Sequence, residues 1–537
     1  MNETLTLSEF PPVPTAEWDA AVLKDFKGVP PKSRLFYRAE DLRGLEYLDS
    51  APGEFPYTRG THPTNAWKIR AAIYEPGVDE ISLVLGSRPM DEVLAALPPC
   101  PVHFEAGNRA PELLEALAAR PLAGSADYAP LADLARVASL IRATSTPQFR
   151  PVTVRAHRFA EAGAAIVQEL GFAIAEGVEI LAHLTDRGLS ADEAAQACVF
   201  SFAVGSAYFQ EIAKLRAART LWARAVESFH PAGSSAARIQ IHARTSHWTK
   251  TIYDPYVNLL RATTEAMAAI VGGADSLQVE PFDATYREPS RDSNRLALNL
   301  QLILRHEAWL DRSVDAAGGA YYIETLTDSL ARGAWALLQQ IEAAGGFLKY
   351  SESGALAREA AVGTRRAAIV GTNRYPNLQE RMLPAIERPD PAPRAARVFE
   401  EIRLRTERHA ARTGHTPRFL LLEAGDPHGD QKMRRARSAF CTHFFGCAGF
   451  EIEIAEKLEG DPDAVVLCSS DPEYAALAPS VIGELRAAGK STPVIVAGYP
   501  ADSIEELKQA GVADFVHIRS NAAETLRAWQ QRLEIGD

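Results

Sequence analysis

An alternating run, Ile239-Gln240-Ile241-His242, leads through a short polar step into apolar residues at helical spacing: Val257, Leu260, Ala266, Met267 and Ile270. Gly272 and Gly273 then supply a helix stop. Strand, loop and helix in this order form a βα unit, and repeated units bury a parallel sheet beneath helices, which constrains the fold more than any other feature of the chain. The pattern predicts a strand ending at His242, a loop over residues 243–246 and a helix over residues 253–270. Carboxyl ends of strands face the ligand in (β/α)8 barrels, so His242 is a candidate site residue. The competing reading is a histidine satisfied within the core.

Further units flank this one. ISLVLGS at residues 81–87 and VHFEAG at 102–107 read as strands, followed by helical runs at 90–97 and 111–119. Residues 153–159 read as a strand, 160–181 as a long helix and 192–225 as a helical run. In that run Ile212, Leu215, Ala218, Leu221 and Trp222 line one face, while Lys214, Arg216, Arg219 and Arg224 lie elsewhere. The basic set is expected to be a solvated face with local pairs such as Glu211–Lys214, the alternative being a phosphate site. A strand at 277–282 and helices at 294–309 and 329–344 follow, with a Gly318-Gly319 turn between the helices and further helix to about residue 363. Alternation over residues 54–365 fits one eight-fold barrel. At its start, the Gly/Pro-rich loop holding Arg59, Gly60 and His62 is either a loop that approaches a ligand or a rigid turn.

Prolines crowd residues 376–396, and a strongly charged helix is expected over 397–413. Beyond it, apolar strands at 419–425, 464–470, 493–500 and 515–520 alternate with helices at 431–447, 474–488 and 502–510, the pattern of a small flavodoxin-like parallel sheet. The expected organisation is an amino-terminal arm at 1–50, a barrel at 51–375, a linker at 376–415 and the flavodoxin-like domain at 416–537. The arm has a helical pattern only at 18–26, and Phe10, Trp18 and Phe26 are expected to pack against this chain or a partner.

The hydrophobic share of 47% and a mean hydropathy of −0.14 describe a chain able to bury a sizeable core. A net charge of −12 argues against nucleic acid or an anionic membrane as the main partner. Five cysteines with mostly apolar neighbours read as reduced packing residues in a cytosolic protein. The amino terminus lacks the apolar core of a signal peptide, and no run of about eighteen apolar residues suggests a membrane span.

Several blocks, in order, carry a family resemblance: FPYTRG at 55–60, FQEIAKLRAARTLWA at 209–223, IHARTSHWTKTIYDPYVNLLRATTEAMAAIVGGADSL at 241–277, RLALNLQLILRHE at 295–307, DAAGGAYYIETLT at 315–327, CSSDPEYAALAP at 468–479 and VIVAGYP at 494–500. Together they resemble the methylmalonyl-CoA mutase family over about residues 54–537. The resemblance implies a substrate-binding (β/α)8 TIM barrel linked to a flavodoxin-like, cobalamin-binding-like domain. It also implies radical rearrangement between methylmalonyl-CoA and succinyl-CoA with adenosylcobalamin.

Residue by residue, the match is incomplete. Ala72 stands where the family has its catalytic tyrosine, Arg158 stands where it has its histidine, and its glutamine has no counterpart between residues 122 and 151. His157 is one place from the family's histidine position and, on a strand, would face the opposite side. His242 resembles the family histidine that contacts acyl-CoA, with Arg244 in place of a glutamine nearby. Asp426 and His428 echo the family's D-x-H-x-x-G cobalt-ligand loop, but Gln431 replaces its glycine. Asp471 places a charge where the cofactor's nucleotide tail would be buried, and Ala497-Gly498, followed by a bulky Tyr499, stands where the family's Gly-Gly pair lets the corrin approach the backbone.

These departures are most similar to the small, non-catalytic subunit of heterodimeric mutases. That likeness implies no catalytic residues and no metal site here, adenosylcobalamin held by a large catalytic partner subunit, acyl-CoA engaged by the complex, and a cytoplasmic location. Arg59 and His242 would be vestiges of substrate binding, and Asp426 and His428 vestiges of cofactor binding. The alternative is a self-sufficient adenosylcobalamin-dependent mutase using His242 and His428. A scaffold that keeps CoA binding through His242 and the Arg59 loop is a third reading.

Overall fold

The structure, a computed structural model, describes residues 15–25, 51–117, 122–127, 134–143, 148–350, 361–388, 392–426 and 429–536. Of the amino-terminal arm it describes the helix Thr15–Asp25, and Phe10 and Phe26 lie outside the described residues, as does the helix expected through 351–360. Among the described residues no helix is long and apolar enough to cross a membrane.

From Asp49 onward, nine strand segments pair in parallel: β1 Lys68–Ala71, β2 Glu80–Val84, β3 Val102–Glu105, β4 Gly124–Ala126, β5 Phe149–Arg150, β6 Val152–Val154, β7 Cys198–Val204, β8 Ile241–Thr245 and β9 Ser276–Gln278. Their order is β5-β4-β3-β2-β1-β9-β8-β7-β6. The two ends of that order, β5 and β6, are consecutive stretches of one strand interrupted at Pro151, whose nitrogen has no hydrogen to give a ladder. Nine segments, two of them halves of one strand, make eight strands and close the sheet on itself. Thr153 Oγ1 donates to the Ala126 carbonyl at 2.9 Å and ties β6 back to β4 across the join. The fold is an α/β barrel of the TIM type, with helices between successive strands except β1 and β2, which a turn joins.

Two stretches that the pattern reads as one element each are divided in the structure. Residues 192–225 are not one helical run: the helix Ala191–Gln196 stops and β7 begins at Cys198, every residue of it buried. A strand buried on both faces has no alternation to betray it, and each large apolar side chain it removes from water contributes about 1.5–3 kcal/mol. Residues 153–159 are not one strand either: β6 ends at Val154 and His157–Glu161 is a short helix, so Arg158 and His157 are neighbours on a helix rather than on opposite faces of a strand.

The helix Tyr208–Glu227 also corrects an expectation. Lys214, Arg216 and Arg219 are buried, and only Arg224 behaves as a solvated residue, pairing with Glu227 at 3.1 Å. Their partners come from several elements: the later helix Tyr321–Ala343, which packs over both Ile166–Asp186 and Tyr208–Glu227, covers Arg216, while Glu169 meets Lys214 and the turns at residues 57–58 and 272–273 meet Arg219. Arg216 meets Asp315 and Glu324, each at 2.8 Å, while Arg219 donates to the carbonyls of Tyr57, Thr58, Gly272 and Gly273. Internal partners take up these cations, leaving none of the three for a phosphate.

The carboxy-terminal sheet has the order β11-β10-β12-β13-β14, all parallel, from β10 Arg418–Leu422, β11 Glu451–Ala455, β12 Ala464–Leu467, β13 Val494–Ala497 and β14 Val512–Val516. This is the doubly wound 2-1-3-4-5 order of flavodoxin-like, Rossmann-type domains. The sequence pattern had omitted β11, an edge strand whose residues are all at least partly exposed. The helix Arg397–Thr413 has the expected bounds, yet Phe399, Ile402, Arg403 and Glu407 are buried. It touches both halves: Glu400 accepts the Ile252 amide at 2.8 Å, Glu407 accepts the Tyr253 hydroxyl at 2.8 Å, and Gln530 donates to the Ile402 carbonyl at 2.6 Å. Trp248, from the loop after β8, joins the carboxy-terminal core beside Phe399 and Phe419.

Candidate functional site

The barrel axis is filled with polar side chains sent inward by the strands. Arg70 on β1 donates through Nε and Nη2 to Glu80 on β2 at 3.2 and 3.1 Å, and through Nη2 to Ser276 on β9 at 3.2 Å. His103 on β3 bridges Glu80 Oε2, 2.9 Å from its Nε2, and Ser125 on β4, 2.5 Å from its Nδ1. His242 on β8 meets Ser276 Oγ at 2.9 Å, and Ser82 donates to Gln278 at 2.8 Å. What remains between them is a cavity of about 40 Å³, room for a few water molecules.

Electrostatics fix the charge states of this network. Burial opposes ionisation of Glu80, but hydrogen bonding to His103 and the charge of Arg70 outweigh it and bring its carboxyl down to about 2. Burial and the adjacent Arg70 push His103 down to about 4 and His242 well below the usual imidazole range. Both imidazoles are therefore neutral, and the axis holds one closed ion pair flanked by neutral hydrogen-bonding groups. His242 is not at the carboxyl end of its strand: β8 runs on through Ala243, Arg244 and Thr245, and the histidine is buried in the barrel interior.

Arg59 lies elsewhere, at the amino-terminal mouth of the barrel. There a cavity of about 410 Å³ is lined by Arg59, His62, Trp67, Lys68, Arg150 and Asp275, among others. Arg59 reaches Asp315 at 3.4 Å. Arg70 and His103 border this mouth and the inner cavity alike, so the axial network is the partition between them.

At the carboxyl face several charged groups are paired with one another. Arg158 pairs with Glu176 at 3.0 Å and lies over the Phe159 ring, Arg155 approaches Asp127 at 3.3 Å, and His247 pairs with Glu280 at 3.1 Å. His157 meets the Ser201 carbonyl at 3.3 Å, and burial keeps it neutral. Ala72 is exposed just past the end of β1.

In the carboxy-terminal domain, ligands of such sheets bind where the strand order reverses, here between β10 and β12. That crevice holds Glu473. Its carboxylate pairs with Arg434 at 2.6 Å and accepts the Asp426 amide at 2.9 Å, the Ser469 hydroxyl at 2.6 Å and the Ser470 hydroxyl at 2.6 Å. A Cβ at Gly425 would come within 2.5 Å of Arg434 and 2.6 Å of Glu473, which leaves no void beside the turn. Asp471 is not a buried unpaired carboxylate: it pairs with Arg437 at 2.7 Å and its side chain is 48% exposed. Tyr499 does not fill the space next to Gly498 either; it stands half-exposed against His517. Arg437 fills that space, 2.5 Å from a Cβ on Gly498, and Tyr474 closes it with a 2.7 Å hydrogen bond to the Ala497 carbonyl.

The candidate residues thus fall in three separate places: Arg59 at the mouth, His242 on the axis and Asp426 beside the carboxy-terminal crevice, while Pro427 and His428 lie outside the described residues. Sequence reading missed Arg70, Glu80, His103, Arg434, Glu473 and Tyr474. One signal was available: Ser470-Asp471-Pro472-Glu473 has the S-x-x-E spacing of a capping box, which forms here.

The family model of methylmalonyl-CoA mutase matches residues 122–420, more than half of the chain. The chain is 36% identical to a methylmalonyl-CoA mutase small subunit of Porphyromonas gingivalis, with 98% of each chain covered. It is 33% identical to a methylmalonyl-CoA mutase small subunit of Streptomyces virginiae over 90% of this chain and 92% of the relative. With a methylmalonyl-CoA mutase of Rhizobium meliloti it shares 38% identity over 52% of this chain and 41% of the relative. On its barrel, its doubly wound sheet and these likenesses, the chain belongs to the methylmalonyl-CoA mutase family.

Proposed function

We propose that this chain is the small, non-catalytic subunit of a methylmalonyl-CoA mutase, working in the cytoplasm with a large subunit that carries adenosylcobalamin and the reacting acyl-CoA. The functional segments are the arm at 1–50, the barrel at 51–375, the linker at 376–415 and the flavodoxin-like domain at 416–537.

The observation that carries this reading is the Arg70–Glu80–His103 network across the barrel axis. A radical rearrangement needs the acyl group held in a dry, continuous pocket against its radical source. Here charged and hydrogen-bonded side chains occupy the space such a pocket would need, and His242 is neutral and engaged with Ser276. The crevice of the carboxy-terminal sheet supports the same conclusion. The residues present do not fit the nucleotide tail of cobalamin, because Glu473, Arg434, Arg437 and Tyr474 occupy its place and bond to one another and to the turns around them. No step of the reaction is assigned to this chain. Its contribution would be fold and interface, and Arg59, His242, Asp426 and His428 would be remnants of binding positions.

The test is purification of the chain alone and with a large mutase subunit, followed by absorption after incubation with adenosylcobalamin and by assay with methylmalonyl-CoA. The lone chain is expected to stay colourless and inactive, and the pair to bind corrin and turn over. A stoichiometric corrin spectrum with turnover from the lone chain would overturn the proposal.

A further inference from the structure

Between the helices Ile166–Asp186 and Tyr208–Glu227 lies an unbalanced cluster of buried charge. Glu169 comes from the helix Ile166–Asp186, and Glu211 and Lys214 come from Tyr208–Glu227. Lys214 Nζ is 2.6 Å from Glu169 Oε2 and 2.6 Å from Glu211 Oε2, and it donates to the Ala203 carbonyl at 2.5 Å. Glu169 Oε1 accepts the Ala203 amide and Glu211 Oε1 the Gly205 amide, both at 3.0 Å. The cluster therefore grips the carboxyl end of β7 and the residue that leaves it. Glu211 Oε2, although close to Lys214, has no aligned hydrogen-bond donor.

Other elements packed here bring ions of their own. Lys250, from the loop after β8, pairs with Glu265 of the helix Val257–Val271, and Glu265 also accepts Thr249 Oγ1 at 2.6 Å. The helix Tyr321–Ala343 sends its Glu324 to Arg216 instead. Glu169, Glu211 and Glu265 outnumber Lys214 and Lys250 by one charge. Such a surplus in a water-free interior is strongly unfavourable and is relieved when a carboxylate takes up a proton.

We infer that the Glu169–Lys214–Glu211 cluster holds one additional proton in the folded chain near neutral pH, released to solvent on unfolding, so that the grip on β7 is a proton-linked device. Burial and the nearby Glu211 act in this direction, raising Glu169 to about 7 against the pull of Lys214. Burial disfavours the charge on Lys214, but its two carboxylate neighbours raise it above the ordinary lysine range, so the ammonium persists. The folded chain binds the proton more tightly than the unfolded chain. Its contribution is therefore complete below the ordinary glutamate range and is lost as pH rises to about 7.

Infrared spectroscopy of the full-length native chain labelled with 13C-glutamate reads the proton directly. The expected result is a protonated-carboxyl band that disappears with a midpoint near pH 7, is lost in E169Q or E211Q, and persists in E176Q. Proton release on urea unfolding at about pH 6 should also fall by about one proton in E169Q relative to the unaltered chain. The unaltered chain decides the matter even where a variant fails to fold, because absence of any glutamate band titrating near pH 7 overturns the inference. A band that survives unchanged in both E169Q and E211Q overturns it equally.

Discussion

Glu473 Oε1 stands 2.6 Å from the guanidinium of Arg434 at the point where the strand order of the carboxy-terminal sheet reverses. A crevice that serves ligands in folds of this type is here spanned by an internal ion pair, completed by Ser469, Ser470 and the Asp426 amide. The pair takes the place of open space there and ties the turns around it together.

Replacing Glu473 tests that substitution. Glu473→Ala strands a guanidinium that is 8% exposed and is expected to cost about 2–4 kcal/mol, read as faster amide exchange in β10 and β12. Desolvation pushes the Glu473 carboxyl up, but hydrogen bonds from Ser469, Ser470 and Arg434 hold it far below the usual range. Its contribution is present above the ordinary glutamate range and is lost only as pH falls well beneath it.

Arg216 is the strongest single hold between the barrel and the helix that covers it, joining Asp315, Glu324 and Thr327. Arg216→Met leaves two carboxylates facing each other and is expected to lower stability by about 3–5 kcal/mol in thermal or urea unfolding. Arg216→Lys keeps the charge without the planar fork and should recover only part of that loss.

The axial network predicts how the barrel answers acid. Because the folded pKa of His103 is depressed to about 4, its stabilising effect is present above the ordinary histidine range and is lost as pH falls toward 4. Nuclear magnetic resonance should find the His103 and His242 rings neutral and not titrating above about pH 5, whereas exposed imidazoles titrate near 6.5. A charged His242 at neutral pH would contradict the described geometry.

Two glycines of the barrel stand against close neighbours. A Cβ at Gly124 would lie 1.9 Å from the Val102 carbonyl oxygen, so Gly124→Ala must break the β3–β4 pairing and is expected to yield insoluble protein. At Gly177 a Cβ would meet Phe200 and Trp222, each at 2.8 Å, and Gly177→Ala is expected to cost about 1–3 kcal/mol in urea unfolding.

Local pattern revealed much of this architecture, and its failures have physical causes. The strands β10, β12 and β13 and the helix Arg397–Thr413 stood out because each is bounded by turns and reads cleanly as apolar or as amphipathic. β7 did not, because CVFSFAV follows ADEAAQ with no glycine or proline to punctuate the change, and its residues are apolar or small throughout. The faces of Lys214, Arg216 and Arg219 were misread because periodicity identifies one apolar stripe but says nothing of partners far along the chain: Glu169 for Lys214, the helix Tyr321–Ala343 for Arg216 and the turns at residues 57–58 and 272–273 for Arg219. The axial network was invisible for a related reason. Arg70, Glu80, His103, His242 and Ser276 belong to separate strands, and only closure of the barrel brings them within hydrogen-bonding distance.

The interruption at Pro151 has its own consequence. The lower half of that stave is stitched to β4 and the upper half to β7, and the residue between them supplies no donor to either side. The wall therefore has a seam where its backbone ladder changes partners, and side chains lace it from both sides: the Thr153 hydroxyl reaches back to the Ala126 carbonyl, and the Arg150 guanidinium reaches forward to the carbonyls of Gln196 and Cys198.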